Sequence, residues 1–226
     1  MQLETIVPWG RSFVEYQAMF KLTELDLQKN ILGCGDGPAA FNQTLTKLDG
    51  SITSIDPIYQ FSRSALKQRI ADVYDEVLNQ VAANKTDFIW KNIKSLDELG
   101  QIRMQAMNDF LADYDLGKQQ GRYLSASLPK LDFADQQFDL ALCSHFLFLY
   151  SDHFSLEQHI QSILELCRVA KEVRIYPLLS LENIPSPHLD LVIQKLKNHN
   201  IETQRQQVAY EFQQGATEML VATNKS

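Results

Sequence analysis

The chain has 226 residues, 45% of them hydrophobic and 22% charged. At roughly 150 residues per domain this favours a single domain over 1–226 that carries an insertion, and it excludes disordered, collagen-like and coiled-coil readings. Twenty-one Lys and Arg against 28 Asp and Glu give a net charge of −7, which argues against nucleic acid or an anionic membrane as partner and for a small-molecule substrate.

The opening MQLETIVPWGRSF lacks the apolar stretch of a signal peptide, and no run of 18 apolar residues suggests a membrane span. Cys34, Cys143 and Cys167 are odd in number and without CxxC spacing. They read as reduced thiols of a cytoplasmic protein, with no metal site expected.

Asn30-Ile31-Leu32 leads into Gly33-Cys34-Gly35-Asp36-Gly37-Pro38 and then PAAFNQTLTKL, a strand, glycine loop and helix that open a βαβ unit. Ser51 to Ile55 alternates as a second strand before Asp56-Pro57 breaks it. About 65 residues separate it from a third strand over Arg122 to Ala126, where a crossover needs only a dozen or more. The excess is a helical insertion over about 62–120. Leu66, Ile70, Val73, Val77 and Val81 mark one amphipathic helix, and Ile102, Ala106, Phe110 and Tyr114 mark another. The insertion reads equally as a packed ornament and as a lid.

Phe138 to Cys143 is a short apolar run of the buried parallel type. Ser155-Leu156-Glu157-Gln158 has capping-box form ahead of a helix, and Glu172 to Leu178 is a fifth strand. Ser186-Pro187 predicts the start of the next helix, with Ser186 as N-cap. Glu202 to Phe212 and Glu218 to Ala222, joined by Gln213-Gln214-Gly215, predict a hairpin. The sum is an α/β protein with a parallel sheet that ends in an antiparallel hairpin.

Glycines 33, 35 and 37 let backbone approach a ligand, and an acid at the end of the second strand can accept both hydroxyls of a ribose. The 19 residues from Gly37 to Asp56 suit NAD as well as S-adenosylmethionine. Pro38 stands where the dinucleotide fingerprint needs its third glycine.

The segments ILGCGDGP, SIDP and SLPKLDFADQQFDLALCSH resemble the glycine loop, ribose acid and fourth-strand motif of class I S-adenosylmethionine-dependent methyltransferases, from about Ile31 to Leu178. PWGRSF, the inserted helices and SHFLFLYSD further resemble a bacterial group of methyltransferase-domain proteins. The resemblance implies a Rossmann-like, seven-stranded, mostly parallel sheet with an antiparallel C-terminal strand, and S-adenosyl-L-methionine as cofactor. It places Gly33, Cys34, Gly35 and Gly37 beside the methionine part of the cofactor, Asp56 and Pro57 at the ribose, Ala126 and Ser127 at the adenine, and Ser144 and His145 facing the methyl group. Two positions that are usually acidic in the family differ here: Ile31 or Gly33 before the glycines, and Ser125 after the third strand.

Methyl transfer is an in-line displacement that needs alignment and exclusion of water more than a fixed triad. For an acceptor that must lose a proton, His145 is the first candidate base and Tyr150 the second. Trp9, Arg11 and Tyr16 belong to an N-terminal lid segment, 1–28, expected to fold over the cofactor. Arg11 reads slightly better as a surface arginine than as a partner for the methionine carboxylate or an acidic substrate. Cys34 and Cys143, at neighbouring strand ends, are expected close to one cofactor site. A homodimer through the exposed faces of the inserted helices is compatible with their amphipathicity. The alternative to an enzyme is a non-catalytic protein of the same fold that binds S-adenosylmethionine or S-adenosylhomocysteine.

Overall fold

The computed structural model describes residues 7–225, so the opening six residues of the expected lid segment lie outside the described residues. Seven strands form one sheet in the order β3-β2-β1-β4-β5-β7-β6. They are β1 (Asn30–Cys34), β2 (Ser51–Ile55), β3 (Tyr123–Leu124), β4 (Phe138–Ser144), β5 (Ala170–Tyr176), β6 (Ile201–Gln207) and β7 (Glu218–Asn224). All neighbours pair parallel except β7, which is antiparallel to both β5 and β6. Connections leave β1 toward β2 and β3 and then return to β4 on its other side. The crevice outside the carboxyl ends of β1 and β4 is therefore the topological switch point, where open α/β sheets bind ligands.

The sheet is buried on both faces, as the near-continuous apolar runs of β1 and β4 require. Ile31, Leu140 and Leu142 face α1 (Phe13–Met19) and α2 (Phe41–Lys47), whereas Leu32, Ala141 and Cys143 face α5 (Leu156–Val169) and α6 (Leu189–Asn198). The insertion is two long helices, α3 (Arg63–Ala83) and α4 (Leu96–Gln119). α3 buries the five residues the periodicity marks, Leu66, Ile70, Val73, Val77 and Val81. The α5 start carries its predicted capping box, with Ser155 and Gln158 each bonding the other's backbone.

β5 runs two residues earlier than the expected Glu172 to Leu178, and three other boundaries differ from the sequence reading for a visible reason. β3 is only two residues long, because this edge strand pairs solely with Ser54 and Ile55. α6 starts at Leu189: Ser186 receives hydrogen bonds from the His188 and Leu189 N–H groups in a turn of its own, which leaves Pro187 ahead of the helix. β6 ends at Gln207, and the chain then leaves the sheet. Tyr210 and Phe212 bury themselves instead, Phe212 stacking on Phe88 with ring centroids 4.9 Å apart. Burial of two aromatic rings outweighs the few ladder bonds a longer hairpin would add.

α4 is bound to the sheet edge by an aromatic cluster of Tyr59, Phe110, Tyr114 and Tyr123, whose centroids lie 5.1–6.0 Å apart. The Arg122 guanidinium grips Asp113 of α4 in a two-pronged contact at 2.7 and 2.8 Å. The Tyr114 hydroxyl donates to the carbonyls of Tyr59 and Phe61, and the Tyr59 hydroxyl donates to the Gly37 carbonyl at 2.7 Å. The insertion thereby steadies the turn after β2, and that turn steadies the glycine loop. Among the described residues no helix is long and apolar enough to cross a membrane. Phe110 is fully buried at the centre of the cluster, so Phe110→Ala is predicted to cost about 3–5 kcal/mol in urea denaturation; a loss below 1 kcal/mol contradicts the anchoring role of α4.

Candidate active site

A cavity of about 280 Å³ opens at the switch point. Its floor comes from the strand ends: Cys34 to Gly37 after β1, Ile55 to Ile58 after β2, Ala126 to Leu128 after β3, and Ser144 to Phe146 after β4. Its cover comes from Trp9 and Arg11 ahead of α1, Val77 and Val81 of α3, Arg103 of α4, and Phe88 with Phe212. The insertion is part of the wall, which a merely ornamental helix pair would not be.

Glycine loop geometry rests on two aspartates. Asp36 turns back under the loop: Tyr16 donates to one carboxylate oxygen at 2.9 Å and Ser54 to the other at 2.6 Å. A Cβ on Gly33 would lie 1.8 Å from that second oxygen, so Gly33 is bare in order to house Asp36. Gly33 does not itself line the cavity; it makes room for the side chain that supports the loop. Asp56 extends from the end of β2 and accepts from the Gly37 and Ile58 N–H groups at 2.9 and 3.0 Å. Gly37 has φ +53°, and no atom lies within 4 Å of where its Cβ would be. That combination of left-handed backbone and open space is a cradle for a ligand.

Burial pushes the Asp36 carboxyl up to about 7, against the pull of the Ser54 and Tyr16 hydrogen bonds. Burial raises Asp56 too, opposed by its two backbone donors. Cys34 lies beside Cys143, its register partner on β4, and this neighbour together with burial raises the Cys34 pKa well above its usual value. Only Cys34 of the pair reaches the cavity.

His145 ends β4 with φ +49°, a conformation uncommon outside glycine. Its N–H donates to the Tyr176 carbonyl at 2.7 Å, and its Nδ1 shares a hydrogen bond of 3.0 Å with Ser144 Oγ. Burial and the charges of Arg11 and Arg103 hold the imidazole well below its usual pKa, so it is unprotonated at neutral pH. Tyr150 lines the same wall, but burial raises its pKa. It keeps its proton, and the expectation of a second base becomes that of a hydrogen-bond donor.

The structure brings together Cys34, Gly35, Gly37, Asp56, Pro57, Ala126, Ser127, Ser144, His145 and Tyr150, leaving out Gly33. Arg11, read as a surface residue, lines the cavity, and burial together with the charge of Arg103 lowers its pKa. Sequence reasoning missed Arg103, fully buried on the apolar face of α4, where Nη1 donates to Glu15 at 2.6 Å. A lone arginine among Ala106, Met107 and Phe110 was the available signal.

No family model matches the sequence. The chain is 31% identical over 222 residues to the uncharacterized protein MJ0045 of Methanocaldococcus jannaschii, spanning 98% of this chain and 97% of that protein. It belongs to the MJ0045 family. In solved structures the magnesium protoporphyrin IX methyltransferase of Synechocystis PCC 6803, determined with bound SAM, matches with a TM-score of 0.50 at 10% identity, over 94% of this chain and 81% of that one. The MJ0045-family chain thus has the Rossmann-like fold of class I methyltransferases, with the mostly parallel seven-stranded sheet and antiparallel C-terminal strand expected from its sequence.

The folded chain retains the Asp36 proton over a pH range in which the unfolded chain has released it. That stabilisation is complete below about pH 4 and is lost as pH rises through about 7. His145 acts with the opposite sign, its stabilisation being lost as pH falls below the unfolded value of about 6.5, and it cancels in a comparison of two Asp36 variants. Asp36→Asn is therefore predicted to gain on the wild type by about 2–3 kcal/mol between pH 5 and pH 8 in urea denaturation. A difference independent of pH contradicts the buried, proton-holding state of Asp36.

Proposed function

We propose that this protein transfers a methyl group from S-adenosyl-L-methionine to a small-molecule acceptor, with the N-terminal segment and the insertion closing the site. The observation that carries this reading is the single cavity running from the Gly37 cradle and Asp56 to the space beneath α3, with His145 in its wall. The residues present fit such a cofactor. Gly35 and Gly37 leave room for its amino-acid part, Asp56 retains acceptor capacity on both carboxylate oxygens for ribose hydroxyls, and Ala126 with Leu128 offers an apolar flank for adenine. When bound, the cofactor supplies an electrophilic methyl group on a sulfonium.

The chain's own groups do the remaining work. Val77, Val81, Phe88 and Phe212 exclude water, and the cavity walls align an acceptor for displacement, the largest contribution proximity can make. The unprotonated His145 imidazole, fixed by Ser144, accepts a proton or hydrogen bond from the acceptor. Tyr150 donates.

Calorimetric titration with S-adenosylmethionine and S-adenosylhomocysteine, with NAD as control, tests the assignment. Roughly micromolar affinity, weakened at least tenfold by Asp56→Ala and absent for NAD, is the expected outcome. Lack of binding by either sulfur ligand overturns the proposal. Binding without turnover across a broad acceptor panel favours the non-catalytic member of the same fold.

A further inference from the structure

We infer that the acceptor is an acid, an apolar molecule bearing one carboxylate, which the guanidinium groups of Arg11 and Arg103 hold under the insertion. The inference rests on the proposed methyl transfer for its meaning and on the charges in the cavity wall for its support.

Two arginines and one glutamate meet there, and Asp87 lines the same wall. Arg103 is fully buried and spends one nitrogen on Glu15, leaving Nε and Nη2 without an acceptor among the described residues. Glu15 already accepts four hydrogen bonds. Its Oε1 accepts from the Tyr210 hydroxyl at 2.7 Å, and its Oε2 accepts from Arg103 and from the Ser12 N–H and hydroxyl. That set, led by Arg103 against the penalty of burial, lowers the Glu15 carboxyl to about 2, so it contributes one full negative charge and no more. Arg11 donates Nη1 to the carbonyl of Trp9 at 2.5 Å, while its buried Nε has no partner among the described residues.

Among the described residues, buried guanidinium charge is therefore left with three nitrogens that lack an acceptor, Arg11 Nε and Arg103 Nε and Nη2. Burying such a charge unpaired is costly, and a planar carboxylate is the group that a guanidinium fork matches. The two aspartates of the glycine loop do not supply it, since Asp36 is bonded to Tyr16 and Ser54, and Asp56 to Gly37 and Ile58.

The position of the pair argues for the acceptor over the cofactor as the source of the carboxylate. Arg103 stands on inserted helix α4, and Arg11 precedes α1. The wall that they share includes Val77, Val81, Asp87, Phe88 and Phe212, from the insertion and the β6–β7 connection. None of these belongs to the strand-end cradle. An apolar body with an anionic end matches that wall.

The test uses benzoate and its neutral isostere benzamide as probes, titrated with and without saturating S-adenosylhomocysteine, on wild type, Arg103→Met and Arg11→Met. 5′-Methylthioadenosine, which lacks the amino-acid carboxylate, serves as the second nucleoside. Benzoate is expected to bind about tenfold more tightly than benzamide, and either variant to abolish the preference while S-adenosylhomocysteine affinity stays within twofold. Arg11→Met carries the test if Arg103→Met, which strands Glu15, fails to fold. Equal binding of benzoate and benzamide overturns the inference. So does a loss confined to S-adenosylhomocysteine with methylthioadenosine unaffected, which assigns the pair to the carboxylate of the cofactor. The benzoate arm without nucleoside reads the arginines even if neither nucleoside binds, so failure of the cofactor assignment is distinguishable from failure of this one.

Discussion

The architecture of the site depends on one buried carboxyl group. Asp36 has no cation beside it among the described residues, yet it joins three elements that are distant in sequence: Tyr16 from α1, Gly33 of β1 beneath it, and Ser54 of β2. Ser54 is held in turn by the Asn42 amide of α2 at 3.0 Å. Burying a carboxyl in this way is unfavourable in its charged form, and the donors on both oxygens offset part of that cost. The result is a glycine loop fixed from below by Asp36 and from the side by Asp56 and Tyr59, so the Gly37 cradle is formed before any ligand arrives. Preorganisation of this kind reduces what binding must spend on ordering the loop.

The two ends of the cavity have opposite polarity. The loop end carries Asp36 and Asp56, and the covered end carries Arg11, Arg103 and Asp87, with Glu15 bound to Arg103. In a chain of net charge −7 this pair of buried guanidinium groups is a feature of the site and not of the whole surface. It also explains the state of His145, whose proton is disfavoured by burial and by both arginines. The same two guanidinium groups thus keep the imidazole neutral and present the cavity with N–H donors that have no acceptor among the described residues.

Much of the fold was legible because the signals are local. β1, β2 and β4 follow from short apolar runs with punctuation, and α3 follows from five apolar residues at helical spacing, all of which are buried. The helix start at Ser155 follows from a capping box that forms as read. Asp56 and the loop glycines were legible as a group because their spacing is set by one βαβ unit. What could not be read is what the chain brings together from afar. Arg103 meets Glu15 across 88 residues, and Tyr210 meets it across 195. Burial of Phe212 against Phe88 overrode the strand pattern of 208–212, and Gly33 took its role from a side chain three positions on. No periodicity encodes such pairings, since they are decided by competition for burial among residues brought close only by the finished fold.

The most direct measurement is a crystal structure of the protein grown with S-adenosylhomocysteine. The account predicts ribose hydroxyls on the Asp56 carboxylate, adenine against Ala126 and Leu128, the Gly33–Asp36–Tyr16 arrangement unchanged, and a sulfur facing the wall that holds His145. A ligand bound elsewhere, or one that enters only after Asp36 has swung away from Gly33, would contradict it.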